Sequence, residues 1–408
     1  MPKILITGNG FDLNFNLPTT YLDFIKILNF IETNDNYSFD SIYSNSINYK
    51  QIKSCFDNEI GFDSERIKLL KENIKENLWF QFFKEELNIE TWIDFENKVN
   101  YVLKLLLKSI TVLNSNFFSK TPLALQLGVY NSSSLDNNIE IIKVLSFFKI
   151  ISKKSPSFAW SFIGDYLINK YDYYISLDIQ KIVTLLNKQL IEFKKIFNEY
   201  FSLFIIPLYE NNKIEYDSKI LSSINYYFTF NYTPTFEKLF NSHTRSNYLH
   251  GKINSDTNSI VLGVNDVPTD IEDKIHFLPF TKYYQKLNNN TDFYFLDEIE
   301  GITKNSSLTN FEFYFWGHSL DRSDEDYINE IFDFVSNSKS KKTSINVIYH
   351  SEQTKSKLIL NLLDIRGKID IVNKMRKKEL IFYKSDSEEL KKALNKDISS
   401  RMYAPTAF

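Results

Sequence analysis

The sequence predicts an α/β protein in which a mostly parallel sheet is interrupted by a large all-helical insertion. Residues 3–7 form a short apolar run that ends at a glycine, and residues 21–31 then carry apolar side chains at helical spacing. Residues 31–221 continue the helical spacing and contain only three glycines. From residue 222 onward, short apolar runs again alternate with helical patterns, which is typical of a parallel sheet covered by helices.

These patterns also predict the order of the elements. The first strand is expected at residues 3–7, and Thr20 can cap the helix that follows, with Asp23 three residues later. Further strands are expected at residues 226–230, 248–250, 260–262, 313–316, 345–349 and 380–383. We therefore expect a discontinuous α/β domain of residues 1–30 and 222–385, a helical insertion of residues 31–221, and a C-terminal helix and tail at residues 386–408.

Composition and charge exclude several classes of protein. The 408 residues include 48 Lys and Arg against 51 Asp and Glu, and a formal charge of −3 does not favour a nucleic-acid coat. A single cysteine excludes an intramolecular disulfide and a cysteine-cluster metal site. Neither a signal peptide nor a membrane-spanning run is visible, so we expect a cytoplasmic protein. The chain has only 10 glycines, and such rare glycines are informative because they remain where backbone geometry requires them.

The first predicted strand is followed directly by the turn Gly8-Asn9-Gly10. This is where a Rossmann-like domain binds phosphates, because glycines let the backbone approach the ligand closely. Leu13 replaces the third glycine of the dinucleotide fingerprint, and the chain has no Gly-Lys-Ser/Thr motif of a P-loop. The segment therefore predicts either a Rossmann-like nucleotide site or a plain tight turn. Asn16, a few residues later, can take a left-handed conformation that glycine often fills.

Polar side chains follow the predicted strands and would meet at one edge of a parallel sheet. Asp12 follows the first strand, Asn231 the second and His250 the third, and Gly317-His318-Ser319 follows a later one. His250 is the best candidate for a general base. The structural alternatives are a loop or capping role for Asp12, a turn at Asn231 and a hydrogen-bonded structural His250. The five histidines show no metal-ligand spacing, so no metal site is expected.

These residues resemble the signature of the AbiH family of bacterial abortive-infection proteins. The resemblance is carried by residues 8–12, 17–24, 92–96, 230–233, 249–251 and 317–320, together with Asp324. It implies a role in bacterial defence against phage, exerted by halting or killing the infected cell. Trp92, Asp94 and Glu96 lie in the predicted insertion, where they form either a lid or a packing motif at the start of a helix.

The order of the motifs is also similar to that of the sirtuin superfamily. A sirtuin opens with Gly-Ala-Gly-x-Ser and reaches Ile-Pro ten residues after its first glycine, as Gly8 and Pro18 do here. The sirtuin segments T-x-N-x-D, His-Gly, G-T-S-L and Ile-Asn resemble residues 229–233, 250–251, 317–320 and 345–346. Asp12, Asn16 and Thr233 depart from the sirtuin Ser, Gly and Asp, and the four-cysteine zinc module is missing. The resemblance therefore implies a domain that hydrolyses NAD rather than a protein deacylase.

The sirtuin resemblance also implies roles, with NAD as the substrate and no metal. The catalytic residues would be Asn231, which orients water or a ribose hydroxyl, His250, which accepts a proton, and Asp12, which stabilises positive charge near the ribose. The residues expected to bind NAD are Gly8, Asn9, Gly10, Phe11, Pro18, Thr19, Thr229, Gly317, His318, Ser319 and Asn346. Residues 8–10 would bind the pyrophosphate, and residues 317–319 with Asn346 would face the adenosine half.

Two other functions stay open. One is a non-catalytic nucleotide-binding sensor or scaffold that uses the insertion to contact a second copy of itself or a partner protein of a defence system. The other is a nuclease that uses Asp12, His250 and Asp324 with a divalent metal. The overall charge and the lack of a carboxylate cluster with metal spacing disfavour the nuclease, and nucleic acid is not expected as a partner.

Overall fold

The computed structural model describes residues 2–86, 92–116, 139–152, 161–171, 174–214, 221–240, 244–254, 259–265, 274–289, 295–296, 310–337 and 343–395. The strands are β1 (Lys3–Thr7), β2 (Ile151–Ser152), β3 (Ser161–Phe162), β4 (Leu167–Tyr171), β5 (Tyr174–Leu177), β6 (Ile224–Thr229), β7 (Ser246–Tyr248), β8 (Glu312–Trp316), β9 (Ser344–Tyr349) and β10 (Leu380–Lys384).

The α-helices of the described residues fall into two groups along the chain. Before β6 they are α1 (Asn9–Asn14), α2 (Tyr21–Thr33), α3 (Phe39–Tyr43), α4 (Tyr49–Cys55), α5 (Ser64–Glu76), α6 (Leu78–Glu85), α7 (Trp92–Asn116), α8 (Ile139–Phe147), α9 (Ile179–Tyr200) and α10 (Ile206–Glu210). After β6 they are α11 (Thr235–Phe240), α12 (Lys274–Phe277), α13 (Lys282–Asn289), α14 (Glu325–Asn337), α15 (Glu352–Arg376) and α16 (Glu388–Asn395).

The main sheet has six strands in the order β10-β9-β8-β1-β6-β7, and every neighbouring pair is parallel. The chain adds β6 and β7 on one side of β1 and then β8, β9 and β10 on the other side. The strand order therefore reverses beside β1, and open parallel sheets bind ligands outside the carboxyl ends of the strands at such a point. Thr7 is level with Thr229 and Trp316, so the ends of the three central strands lie together.

Both faces of this sheet are covered by helices. Successive side chains of a strand point to opposite faces, so neighbouring residues of one strand belong to different cores. Ile4 and Ile6 belong to a core shared with α14 and α15, whereas Leu5 belongs to a core shared with α11 and α16. A third core joins α2 to the helices of residues 39–209 and to residues 253–280. The predicted boundaries between domains stay predictions.

Most of the predicted strands of the main sheet are confirmed, and the first was predicted with its observed bounds. The strand predicted at residues 248–250 lies two residues earlier, at Ser246–Tyr248. The strand predicted at residues 260–262 was wrong. Leu262 exchanges its backbone hydrogen bonds with the side-chain amide of Gln285 (2.9 and 3.0 Å) instead of with a neighbouring strand.

The expectation that the insertion is all helical was also wrong. Two short antiparallel pairs, β2 with β3 and β4 with β5, lie between α8 and α9. The segments of β4 and β5 are rich in Tyr and Ile, and such residues favour strands. No helix of the described residues has both the length and the apolar character needed to cross a membrane.

Two local predictions are confirmed next to the first strand. Thr20 caps α2 by accepting a hydrogen bond from the Asp23 amide (3.0 Å), and the Asp23 side chain accepts in return from the Thr20 backbone. Asn16 has a φ of 60°, which is the left-handed conformation expected for it.

Candidate functional site

The loops that follow β1 and β8 pack directly against each other at the point where the strand order reverses. The amide of Gly10 donates to the carbonyl of Gly317 (2.8 Å), and that of Gly8 donates to Trp316 (3.2 Å). Gly317 has a φ of +70°, and a Cβ atom there would lie 2.0 Å from the Phe11 nitrogen. Glycine is thus required at residue 317, and two of the amides expected to bind pyrophosphate are already engaged within the protein.

Asp12 is a buried carboxyl group with three hydrogen-bond donors. It accepts from the side chains of Thr233 (2.5 Å), Thr235 (2.6 Å) and Asn231 (3.0 Å). The side-chain amide of Asn231 also donates to the backbone carbonyl of Gly8 (3.0 Å). Burial raises the pKa of Asp12 to about 7, although these hydrogen bonds act in the opposite direction. Asp12 and Asn231 therefore hold α1 and the first glycine loop (residues 8–10) against the segment that follows β6.

A second cluster lies beyond the ends of β7 and β8 and contains two histidines around one carboxylate. Nε2 of His250 is 3.3 Å from Oδ1 of Asp324, and Nε2 of His318 is 3.4 Å from Oδ2. Nδ1 of His318 accepts from the Leu320 amide (2.9 Å), so its Nε2 carries the proton that faces Asp324. The ring of Phe230 packs against both imidazoles, at centroid distances of 5.2 and 4.3 Å.

The His250–Asp324 pair is buried and incompletely hydrogen-bonded. Neither Nε2 of His250 nor Oδ1 of Asp324 makes a well-aligned hydrogen bond with any described residue. Buried polar atoms of this kind are uncommon, and they are often found where a protein does chemistry. The alternative that His250 is a fully hydrogen-bonded structural residue is thus disfavoured.

The charges of the two groups suit proton transfer. Burial lowers the pKa of His250 to about 4, although Asp324 acts in the opposite direction, so the imidazole is neutral at pH 7. Burial alone would raise the pKa of Asp324, but Lys282 and the two histidines outweigh burial and hold it well below its usual range. A neutral imidazole can accept a proton, and the ionised carboxylate beside it can stabilise the imidazolium that forms.

Sequence reasoning missed Lys282 on α13, and it named the partner of Lys282, Glu96, only as part of a lid or packing motif. Nζ of Lys282 lies 2.8 Å from Glu96 Oε1 and 3.9 Å from Asp324 Oδ1. Burial alone would lower the pKa of Lys282, but the two carboxylates hold it above its ordinary value. Burial raises the pKa of Glu96 to about 7, against the opposing effect of Lys282.

A signal for Lys282 was present in the sequence. On α13 the polar residues Lys282, Gln285 and Lys286 share the buried face, while apolar side chains point outward. The exposed apolar residues of this helix are Tyr283, Tyr284 and Leu287. A helix whose polar face is turned inward indicates a buried polar partner, here the cluster around Asp324.

The other predicted binding residues have varied positions. The carbonyls of Pro18 and Thr19 accept hydrogen bonds from Tyr200 (2.6 Å) and Trp92 (3.1 Å), both from the predicted insertion. Phe11 is buried in the core beneath the sheet, Asn9 begins α1, and Ser319 is exposed.

Two predicted binding residues lie within strands. The hydroxyl of Thr229, at the end of β6, accepts from the hydroxyl of Thr7 (2.8 Å) and from the backbone N–H of Asn231 (2.9 Å). Asn346 lies in the middle of β9, level with Tyr314 of β8 and therefore two residues before the level of Trp316. Its side chain donates to the carbonyl of Phe313 (3.2 Å). Asn346 is therefore separated from the strand ends that carry the other residues.

The residues proposed for a metal-dependent nuclease do not form one ligand set. Asp12 is bonded to Asn231 and two threonines, whereas Asp324 faces the two histidines. In the part of the chain that the structure describes, no group of three or more His, Cys, Asp or Glu side chains is arranged to hold a metal ion.

Comparison with protein families decides the identity of the chain. The model of a family described as bacteriophage abortive infection AbiH matches residues 4–349. The chain belongs to the AbiH family. The AbiH match runs from β1 to the end of β9, so it includes the insertion and both polar clusters. No curated protein and no solved structure matches this AbiH chain.

Proposed function

We propose that this AbiH protein is an abortive-infection effector that hydrolyses NAD to nicotinamide and ADP-ribose at the carboxyl edge of its parallel sheet. The observation that carries the proposal is the buried His250–Asp324 pair, whose facing atoms lie 3.3 Å apart without a well-aligned hydrogen bond. The order of the six strands supports a Rossmann-like, sirtuin-like domain, because dinucleotide-binding sheets reverse their order at the same point.

In this proposal His250 is the general base. Its Nε2–H faces the ionised Asp324, which leaves the lone pair of Nδ1 to accept a proton from the attacking water. Such proton transfer contributes roughly 10²–10⁴-fold to a rate. The carboxylate of Asp324 stabilises the imidazolium that forms, and it also favours the positive charge that develops on the ribose when the nicotinamide bond breaks.

We assign positioning roles to Asp12 and Asn231 rather than direct contact with the ribose. The amide hydrogens of Asn231 are used by Gly8 and Asp12, and both oxygens of Asp12 accept hydrogen bonds. The pair holds the first glycine loop against the end of β6. His250 and Asp324 are buried, and we propose that NAD reaches them when the surrounding segments move. A site that opens only on infection would spare the uninfected host.

The test is to incubate the purified protein with NAD, with and without phage lysate, and to measure nicotinamide and ADP-ribose. We expect the His250→Ala variant to lose activity and the His350→Ala variant to keep it, because His350 is exposed at the end of β9. No turnover by the wild-type protein under either condition, or full activity of His250→Ala, would contradict the proposal.

A second function, a non-catalytic nucleotide sensor or scaffold, is favoured by one observation. The side chains of Asp12 and Asn231, two of the three residues predicted to be catalytic, are engaged in internal hydrogen bonds. Calorimetric binding of NAD without product, together with phage protection that survives His250→Ala, would favour the sensor. A second copy of the chain or a defence-system protein is the partner that we propose for it.

A further inference from the structure

Glu96 connects the predicted insertion to the site at the edge of the sheet. It lies in the first turns of α7, in the motif of residues 92–96. The sequence predicts either a lid or a packing role for this motif. The preceding Phe95 stacks on Phe193 of α9 (5.3 Å), and the Trp92 indole donates to the carbonyl of Thr19 (3.1 Å). Two residues of the motif therefore pack and fix the start of α7, and Glu96 is left to reach Lys282.

Lys282 is shared between two carboxylates that come from distant parts of the chain. Its Nζ is 2.8 Å from Glu96 and 3.9 Å from Asp324, and its side chain is only 5% exposed. In a buried site the interaction between charges is weakly screened, so a change in the charge of Glu96 alters how strongly Lys282 holds Asp324. Asp324 in turn faces His250 at 3.3 Å.

We propose that Glu96 is a positioning residue of the site, which acts through Lys282 on the place of Asp324 and through Asp324 on the orientation of His250. The insertion thus completes the site of the sheet. The consequence for rate rests on the proposed function, but the link between Glu96 and His250 can be measured without any substrate.

Protonation of Glu96 provides the readout. Burial raises the pKa of Glu96 to about 7, so this carboxyl group changes its charge near neutral pH. Asp324 has a pKa well below its usual range, while the pKa values of Lys282 and Tyr232 lie above their ordinary values. The charged and titratable groups of the described residues that act on Glu96 and this cluster are Lys282, Lys286, Asp324, Asp321, Tyr232, His250 and His318.

The experiment is a pH titration of the full chain labelled with ¹⁵N-histidine and followed by NMR. We expect the ring nitrogens of His250 to shift with a midpoint near pH 7 while the ring stays neutral, because the change comes from Glu96. His318 gives separate signals, so a change that begins at His318 can be told apart from the step at His250. The step in the His250 signals should vanish in Glu96→Gln.

Glu86→Gln is the matched control. Glu86 is also a carboxylate of the predicted insertion paired with lysines, and its side chain is 12% exposed against 14% for Glu96. Its partners are Lys98 and Lys143 rather than Lys282, so the His250 step should persist in this variant. A step that persists in Glu96→Gln, or that is lost in Glu86→Gln as well, would overturn the proposal.

Glu96→Asp keeps the test decisive if the glutamine variant fails to fold. Its shorter side chain moves the carboxylate away from Lys282 and should move the midpoint of the His250 step, and an unchanged midpoint would overturn the proposal. With NAD as substrate, Glu96→Gln should lower kcat on the order of 10²-fold, leave KM unchanged and remove the change in kcat near pH 7. If the wild-type protein does not cleave NAD, the proposed function fails, and the NMR result still decides the role of Glu96.

Discussion

Replacing Gly317 by alanine tests whether the contact between the loops that follow β1 and β8 requires glycine. The φ of +70° at this residue is unfavourable for a side chain, and the added Cβ would lie 2.0 Å from the Phe11 nitrogen and 2.3 Å from the Gly10 carbonyl carbon. All of these contacts are with backbone atoms, which cannot swing away as the end of a long side chain can. We therefore expect a large loss of stability from one methyl group.

The expected loss in the free energy of unfolding has two contributions, and alanine substitutions at other glycines measure them separately. Holding a side chain in a glycine-type conformation costs about 1–3 kcal/mol, and forcing a group into a filled space costs about 1–3 kcal/mol more. Gly317→Ala should thus lower the free energy of unfolding by about 2–6 kcal/mol. Gly367 has a φ of +75° but open space around its Cβ position, so Gly367→Ala should show only the first part.

The assay is equilibrium unfolding in urea, followed by tryptophan fluorescence, since Trp316 is next to the substituted residue. Gly61 has neither a positive φ nor an atom within 4 Å of its Cβ position, and alanine there should be neutral or stabilise by up to ~1 kcal/mol. We expect the order of stability Gly61→Ala, Gly367→Ala, Gly317→Ala, from highest to lowest. A Gly317→Ala variant as stable as Gly61→Ala would refute the reasoning.

Three further predictions concern buried or capping side chains. The pKa of Asp12 is about 7 in the folded protein against an ordinary 3.8, so the folded protein holds this proton more tightly than the unfolded chain does. Stability is therefore lost as pH rises from about 4 to 7. Asp12→Asn should flatten this dependence in melting temperatures measured across that range. Burial lowers the pKa of Lys194 to about 7, so the melting temperature of the wild-type protein should rise between pH 7 and 10. Lys194→Met should melt at a higher temperature than the wild type at pH 7 and gain little above that pH. Gln285, which accepts a hydrogen bond from Lys194, keeps its bond to the Leu262 amide in this variant. Thr20→Ala should cost about 1 kcal/mol in urea unfolding, and Thr20→Ser should restore most of it, because the hydroxyl is the cap of α2.

The parts of the fold that depend on local sequence could be predicted. The first strand, the cap at Thr20 and the left-handed Asn16 each follow from residues within a few positions of one another. The strand expected at residues 260–262 could not be judged in this way. Its apolar residues are buried as a strand's would be, but the backbone partner is the side chain of Gln285, which is a tertiary contact that no local pattern reveals.

The same distinction applies to the site. Rare glycines and polar residues after apolar runs predict that polar side chains meet at the carboxyl edge of the sheet, and the position of His250 there predicts its role as a base. Glu96 and Lys282 lie 186 residues apart in the sequence, and their 2.8 Å contact exists only in the folded chain. The burial that occupies Asp12 and Asn231 with each other is likewise a property of packing rather than of residue type.

The position of β1 between β6 and β8 has a consequence for how the protein is made. The strand forms within the first seven residues, but its neighbour on one side begins at Ile224 and on the other at Glu312. A ribosome adds about 5–20 residues per second, so β1 waits roughly 10 to 45 s for its first partner. The helices of residues 39–209 therefore emerge before the sheet can assemble, and the two histidines and Asp324 leave the ribosome later still. The cluster around Asp324 therefore cannot form until most of the protein has been translated.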